Sequence, residues 1–149
     1  MTELSVSERP MTEAEFARMN MGFEAHTIAH GNPVQVAERF GFVAQQKNAF
    51  VGCSSGLAYK NGLNYSPWFY LTDLFVEQAF RGRGLGAILL NRLEQRVALL
   101  GLETIWTWTA GYEAPGFYQK QGYTLFCELE NFYATGHSRV ALRKPLRVN

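Results

Sequence analysis

Leu71-Thr72-Asp73-Leu74-Phe75-Val76, followed after four residues by Arg81-Gly82-Arg83-Gly84-Leu85-Gly86, is the stretch on which the fold turns. The aromatic and β-branched run 68–76 precedes the glycines and the apolar-periodic run 87–100 follows them, so the order is strand, glycine loop, helix. A helix that begins on glycines leaves its first N–H groups unpaired and unshielded, and its dipole adds partial positive charge at the same point. Phosphate suits that position. Arg81 and Arg83 add two guanidinium groups, whose fork matches phosphate oxygens. A diphosphate is the natural occupant.

Two familiar nucleotide loops do not fit. A P-loop ends in Gly-Lys-Ser/Thr, whereas Gly86 is followed by Ala87-Ile88. The dinucleotide pattern is met by Gly82, Gly84 and Ala87. It also needs an acidic residue after the next strand, which here ends in Ala110-Gly111, and too little chain follows for further βαβ units.

The loop resembles the acetyl-coenzyme A loop of the GNAT superfamily of N-acetyltransferases, Arg/Gln-x-x-Gly-x-Gly/Ala after a strand ending Leu-x-Val. Arg81, Gly84 and Gly86 match the loop, and Leu74-Phe75-Val76 matches the strand end. Residues 109–123 (TAGYEAPGFYQKQGY) are similar to the superfamily's second motif, with Phe117-Tyr118 on a short helix. The tail, 130–146, resembles that of a bacterial branch of the superfamily. The resemblance implies one N-acetyltransferase domain over residues 1–149. Its fold would be α/β (α+β), a mixed, mostly antiparallel sheet of six to seven strands with helices on both faces, splayed between the fourth and fifth strands.

Composition narrows the partners. Fourteen Lys and Arg against thirteen Asp and Glu leave a net charge of +1, which provides no field for nucleic acid. Neither a signal peptide nor a membrane span is legible, so a cytoplasmic protein acting on a small molecule is expected. Cys53 and Cys127 lack metal or disulfide-framework spacing and read as small core residues; no metal site is expected.

From the N-terminus, a short strand is expected at 4–7. The capping box Thr12-x-x-Glu15 then opens a helix carrying Phe16, Met19, Phe23 and Ile28 on one face. Strands at 40–46, 49–59 and 68–76 form an antiparallel meander. After the loop helix come a buried strand at 104–109, a helix between Pro115 and Gly122, and two strands to Leu146. An exposed edge at 132–142 offers a surface for a homodimer.

By resemblance, acetyl-CoA is the co-substrate. Backbone groups of Leu74, Phe75 and Val76 bond its pantetheine arm, and Arg81, Gly82, Arg83, Gly84, Leu85 and Gly86 hold its pyrophosphate. Tyr118 occupies the superfamily's Phe-Tyr position and is the candidate general acid. Asp73 interrupts an apolar strand and is the second candidate catalytic residue, its alternative role being a carboxylate bonded to backbone or to an arginine. Glu24 and His26 are candidate acceptor contacts, since the first helices wall the acceptor pocket in the superfamily. Tyr70 and Thr72 stand where family members often carry a base, and neither is an ordinary base at neutral pH. Gly111 replaces a usual Asn. Asp73, Glu113 or a water chain held by Tyr70 and Thr72 remain as bases. Tyr59, Tyr65, Trp68, Phe69 and Tyr70 read either as core or as pocket lining. With one Asp nearby, a small primary amine with an apolar or aromatic body is favoured over a polycation. The alternatives are a protein acetyltransferase and a non-catalytic acyl-CoA sensor.

Overall fold

The computed structural model describes residues 3–147. The chain divides between Val34 and Gln35 into two compact units. The first holds one helix, α1 (Glu13–Ala29), started by the predicted capping box: the Glu15 N–H donates to the Thr12 hydroxyl at 3.2 Å, and the Thr12 N–H donates to the Glu15 carboxylate at 3.0 Å. Arg9 grips the same carboxylate through both terminal nitrogens, at 2.7 and 2.9 Å. The expected strand at 4–7 does not form; those residues have no ladder partner, and a short strand alone leaves its backbone bonding to water. Nor is the expected apolar face of α1 buried, because the unit contains no second layer to receive it.

The second unit is a six-stranded sheet in the order β1-β2-β3-β4-β6-β5, with β1 (Val36–Gln46), β2 (Ala49–Asn61), β3 (Asn64–Val76), β4 (Thr104–Ala110), β5 (Thr124–Leu129) and β6 (Arg139–Pro145). β1 to β3 form the predicted meander. Its first turn is tight: Lys47 and Asn48 both have positive φ, 49° and 68°, as a right-twisted two-residue hairpin requires. The helix α2 (Leu85–Leu99) buries Leu89, Leu90, Leu93 and Val97, and α3 (Pro115–Lys120) buries Tyr118. Both join one core with Phe69, Leu71, Ile105 and Leu142. Within it, the Glu94 carboxylate accepts from the Tyr123 hydroxyl at 2.7 Å and from Lys144 at 3.1 Å, so a buried charge keeps its partners.

Two expectations need correction. Residues 132–142 do not form an edge, because β6 is hydrogen-bonded to β4 on one side and β5 on the other; the sheet's edges are β1 and β5. Cys53 and Cys127 are half-buried free thiols rather than core residues.

The feature that sets up the site is a short pairing. β3 and β4 run parallel and pair only at Trp68–Thr104, Phe69–Ile105 and Tyr70–Trp106. Beyond Tyr70 the strands splay, and the Thr107 hydroxyl rather than a backbone N–H donates to the Leu71 carbonyl, at 2.9 Å. On the other side of β3, a bulge between Ser55 and Gly56 shifts the register opposite Thr72. Gly56 is held there by close approach: a Cβ would stand 2.4 Å from the Tyr70 carbonyl oxygen and 2.4 Å from the Phe69 ring. Gly56→Ala is therefore expected to destabilise by about 1–3 kcal/mol or more through overpacking, read as a lower denaturant midpoint with an unchanged slope.

Candidate active site

The loop has the shape that its glycines imply. Gly82 and Gly84 take φ of 77° and 79°, a left-handed backbone that side chains strain, and Gly84 caps α2 with no side chain over the first amides. A Cβ on either would meet open space, so backbone conformation and not crowding requires glycine there. The two arginines differ. Arg81 donates its Nε to the Val76 carbonyl at 2.9 Å, tying the loop to the end of β3 and leaving its terminal nitrogens unused by that bond. Arg83 lies over the Phe80 ring at 5.5 Å.

Where β3 and β4 part, a cavity of about 270 Å³ opens, bordered by Thr72, Asp73, Leu74 and Phe75 from β3 and by Thr107, Trp108 and Thr109 from β4. Glu113, Ala114 and Tyr118 close it from the turn before α3 and from α3 itself. The splay thus brings together Asp73 and Tyr118, the two predicted catalytic residues, and Thr72.

Their environments differ. Tyr118 is buried, and desolvation pushes its hydroxyl up to about 12; the Thr107 hydroxyl pulls it down and the nearby Glu113 charge pushes it up. At neutral pH it is a phenol with its proton in place. Asp73 is not the buried carboxylate that its apolar strand suggests. Its side chain is 61% exposed, the Thr72 hydroxyl donates to it at 2.7 Å, and Arg39 stands 3.8 Å away. Arg39 also donates to the Thr72 and Ser55 hydroxyls, each at 2.9 Å. Solvent and these partners explain how the strand tolerates an aspartate.

The aromatic cluster 59–70 splits between faces. Phe69 is core, and Tyr65 donates to Glu38 at 2.8 Å. Tyr70 instead stacks on Trp106 with ring centroids 4.4 Å apart, and Trp68 lies near Phe126. Glu24 and His26 lie on α1, in the first unit; the His26 and His30 rings are 4.2 Å apart. Sequence reading passed over Arg39, Thr107, Trp106 and Trp108. The signal for the tryptophans lay in period two: Ile105, Thr107 and Thr109 are buried while Trp106 and Trp108, between them, face the other way half-exposed.

The comparisons with known proteins agree with the fold. The description "Acetyltransferase (GNAT) domain" matches residues 37–125, more than half of the chain, and the protein belongs to that family. Over 69 residues it is 35% identical to a blasticidin-S acetyltransferase of Streptomyces morookaense, a match spanning 44% of this chain and 48% of that protein. The chain thus spans about half the length of that curated relative. An acetyltransferase structure from Bacillus cereus superimposes with a TM-score of 0.77 at 20% identity, over 95% of this chain and 98% of the other. An aminoglycoside 6'-N-acetyltransferase complexed with coenzyme A gives 0.64 at 23% identity, over 75% of each chain. Among the described residues, no helix is long and apolar enough to cross a membrane.

The raised tyrosines have a consequence for stability. Tyr118 titrates higher folded than unfolded, so its contribution is complete below the unfolded value of ~10. It is lost as pH rises through about 12. Tyr123, raised by burial and by Glu94, acts in the same direction. The denaturant midpoint should fall above pH ~10, and Tyr118→Phe should make that fall shallower.

Proposed function

We propose that the protein transfers the acetyl group of acetyl-CoA to a primary amine of a small molecule, by direct attack within a ternary complex. The observation that carries this reading is the splay between β3 and β4, which leaves the β4 side of β3 without a strand partner beyond Tyr70, beside a cavity holding both a buried phenol and a solvated carboxylate. Family membership supports acetyl transfer, and relatives named for blasticidin-S and aminoglycosides support a small acceptor.

The chain's groups divide the work. The amides of Gly82 to Gly86, with Arg83 and the terminal nitrogens of Arg81, hold the pyrophosphate. Backbone groups around Leu74, Phe75 and Val76 that have no partner on β4 align the pantetheine arm, and a backbone N–H there stabilises negative charge on the carbonyl oxygen. Asp73 orients the amine and takes the proton that nitrogen loses when it bonds to the acetyl carbon. Tyr118 gives its proton to the sulfur as the carbon–sulfur bond breaks. A phenol shifted to about 12 holds that proton at any working pH, so Tyr118 contributes no alkaline limb to the rate profile.

Isothermal titration of acetyl-CoA tests the cofactor. Micromolar binding is expected for the native protein and none for Gly84→Glu, whose carboxylate crowds the amides and repels phosphate. Free-thiol release across a panel of amines tests the reaction. Tyr118→Phe should lower kcat about 10²-fold with acetyl-CoA binding retained, and Asp73→Asn should raise KM for the amine more than for acetyl-CoA. Binding without thiol release from any amine would instead favour an acyl-CoA sensor.

A further inference from the structure

The sheet face that carries Trp106 is unlike the core face. Trp68, Trp106, Trp108 and Phe126 line an apolar hollow of about 330 Å³, joined by Cys127. Trp108 borders this hollow and the acetyl-transfer cleft alike, so the two share that residue as a wall. β6 adds charge to the same face. Arg139 lies over Trp108, 5.1 Å from the ring centroid, and Arg143 lies over Phe126 at 5.3 Å and Trp68 at 6.0 Å. Neither guanidinium takes part in an ion pair among the described residues.

Resting on the reading above, we propose that this face seats the body of the acceptor, and that the acceptor is an amine with a planar aromatic body and a carboxylate. The indoles offer flat, apolar surface to a ring. Arg139 and Arg143 stand opposite Ala110 and Trp106 on β4, bracketing Trp108. Aromatic stacking holds each guanidinium while leaving its N–H edge free for a carboxylate. At the cleft end, Asp73 receives the amine. An acceptor of this class is bound by charges of both signs, one at each end of an aromatic floor. A neutral amine would leave the arginines without an anion, and a polycation would be repelled by them.

The test compares para-(aminomethyl)benzoate with para-methylbenzylamine, matched in ring and amine, and with aminomethyl-cyclohexanecarboxylate, which keeps the charge but not the flat ring. The benzoate should have the highest kcat/KM, by about tenfold or more over the neutral amine, and should quench tryptophan fluorescence saturably. Arg139→Gln with Arg143→Gln should erase that preference, bringing kcat/KM for the benzoate down to that for para-methylbenzylamine measured with the same variant. Equal or reversed preference, or a preference that survives the double substitution, overturns the proposal. So does light scattering that finds a native dimer which Trp106→Ser dissociates, since the face would then be a subunit seam. Failure of acetyl transfer itself would appear separately, as no acetyl-CoA heat and no thiol release with any amine.

Discussion

Three residue pairs hold β3 to β4, and the remainder of the site follows from the fact that there are no more. In a parallel ladder every further pair would consume backbone N–H and C=O groups on both strands. Here β3 runs on to Val76 and β4 to Ala110 without that pairing, and a threonine hydroxyl takes over one carbonyl where the ladder stops. A backbone left unpaired next to a core must find water or a ligand. The bulge opposite Thr72, pinned by Gly56, bends β3 at the same level. Divergence is therefore built into β3 from its other neighbour as well.

The glycine loop and the cleft are connected parts. Arg81 bridges them through its bond to Val76, so the guanidinium that faces the loop also fixes the last carbonyl of the strand. α2 then runs from the loop across β1, β2 and β3, and its buried leucines share a core with Tyr118. Loop, strand end and phenol are thus positioned by one packed layer, as the proposed binding of a single extended co-substrate requires.

The strands of the meander, the loop helix and the short helix after Pro115 were legible in the sequence because each has a local signature: alternation, glycine at positive φ, or proline at a helix start. The position of Phe117 and Tyr118 on a short helix was legible through the Phe-Tyr motif. What local signals could not reveal was long-range. Leu4 to Ser7 have extended-chain composition but no partner strand, and the cysteines are small yet half-buried. Residues 132–142 lead into a strand that is central only because the last connection doubles back between β4 and β5. Asp73 looked anomalous in an apolar strand. Its neighbours in space, Arg39 and Ser55 from β1 and β2, are distant in sequence, and only the ladder brings them together.

The alternation along β4 separates two tasks. Ile105, Thr107 and Thr109 serve the interior, whereas Trp106 and Trp108 contribute little to the buried core. The same holds on β6, where Val140 and Leu142 are interior and Arg139 and Arg143 are not. Single substitutions among the exposed residues of the outer face therefore leave the buried core cluster intact. Deleting one residue from β4 would exchange the two sets and lose both at once. On the proposed seating of the acceptor, its preference can drift one side chain at a time while the interior faces of β4 and β6 stay fixed.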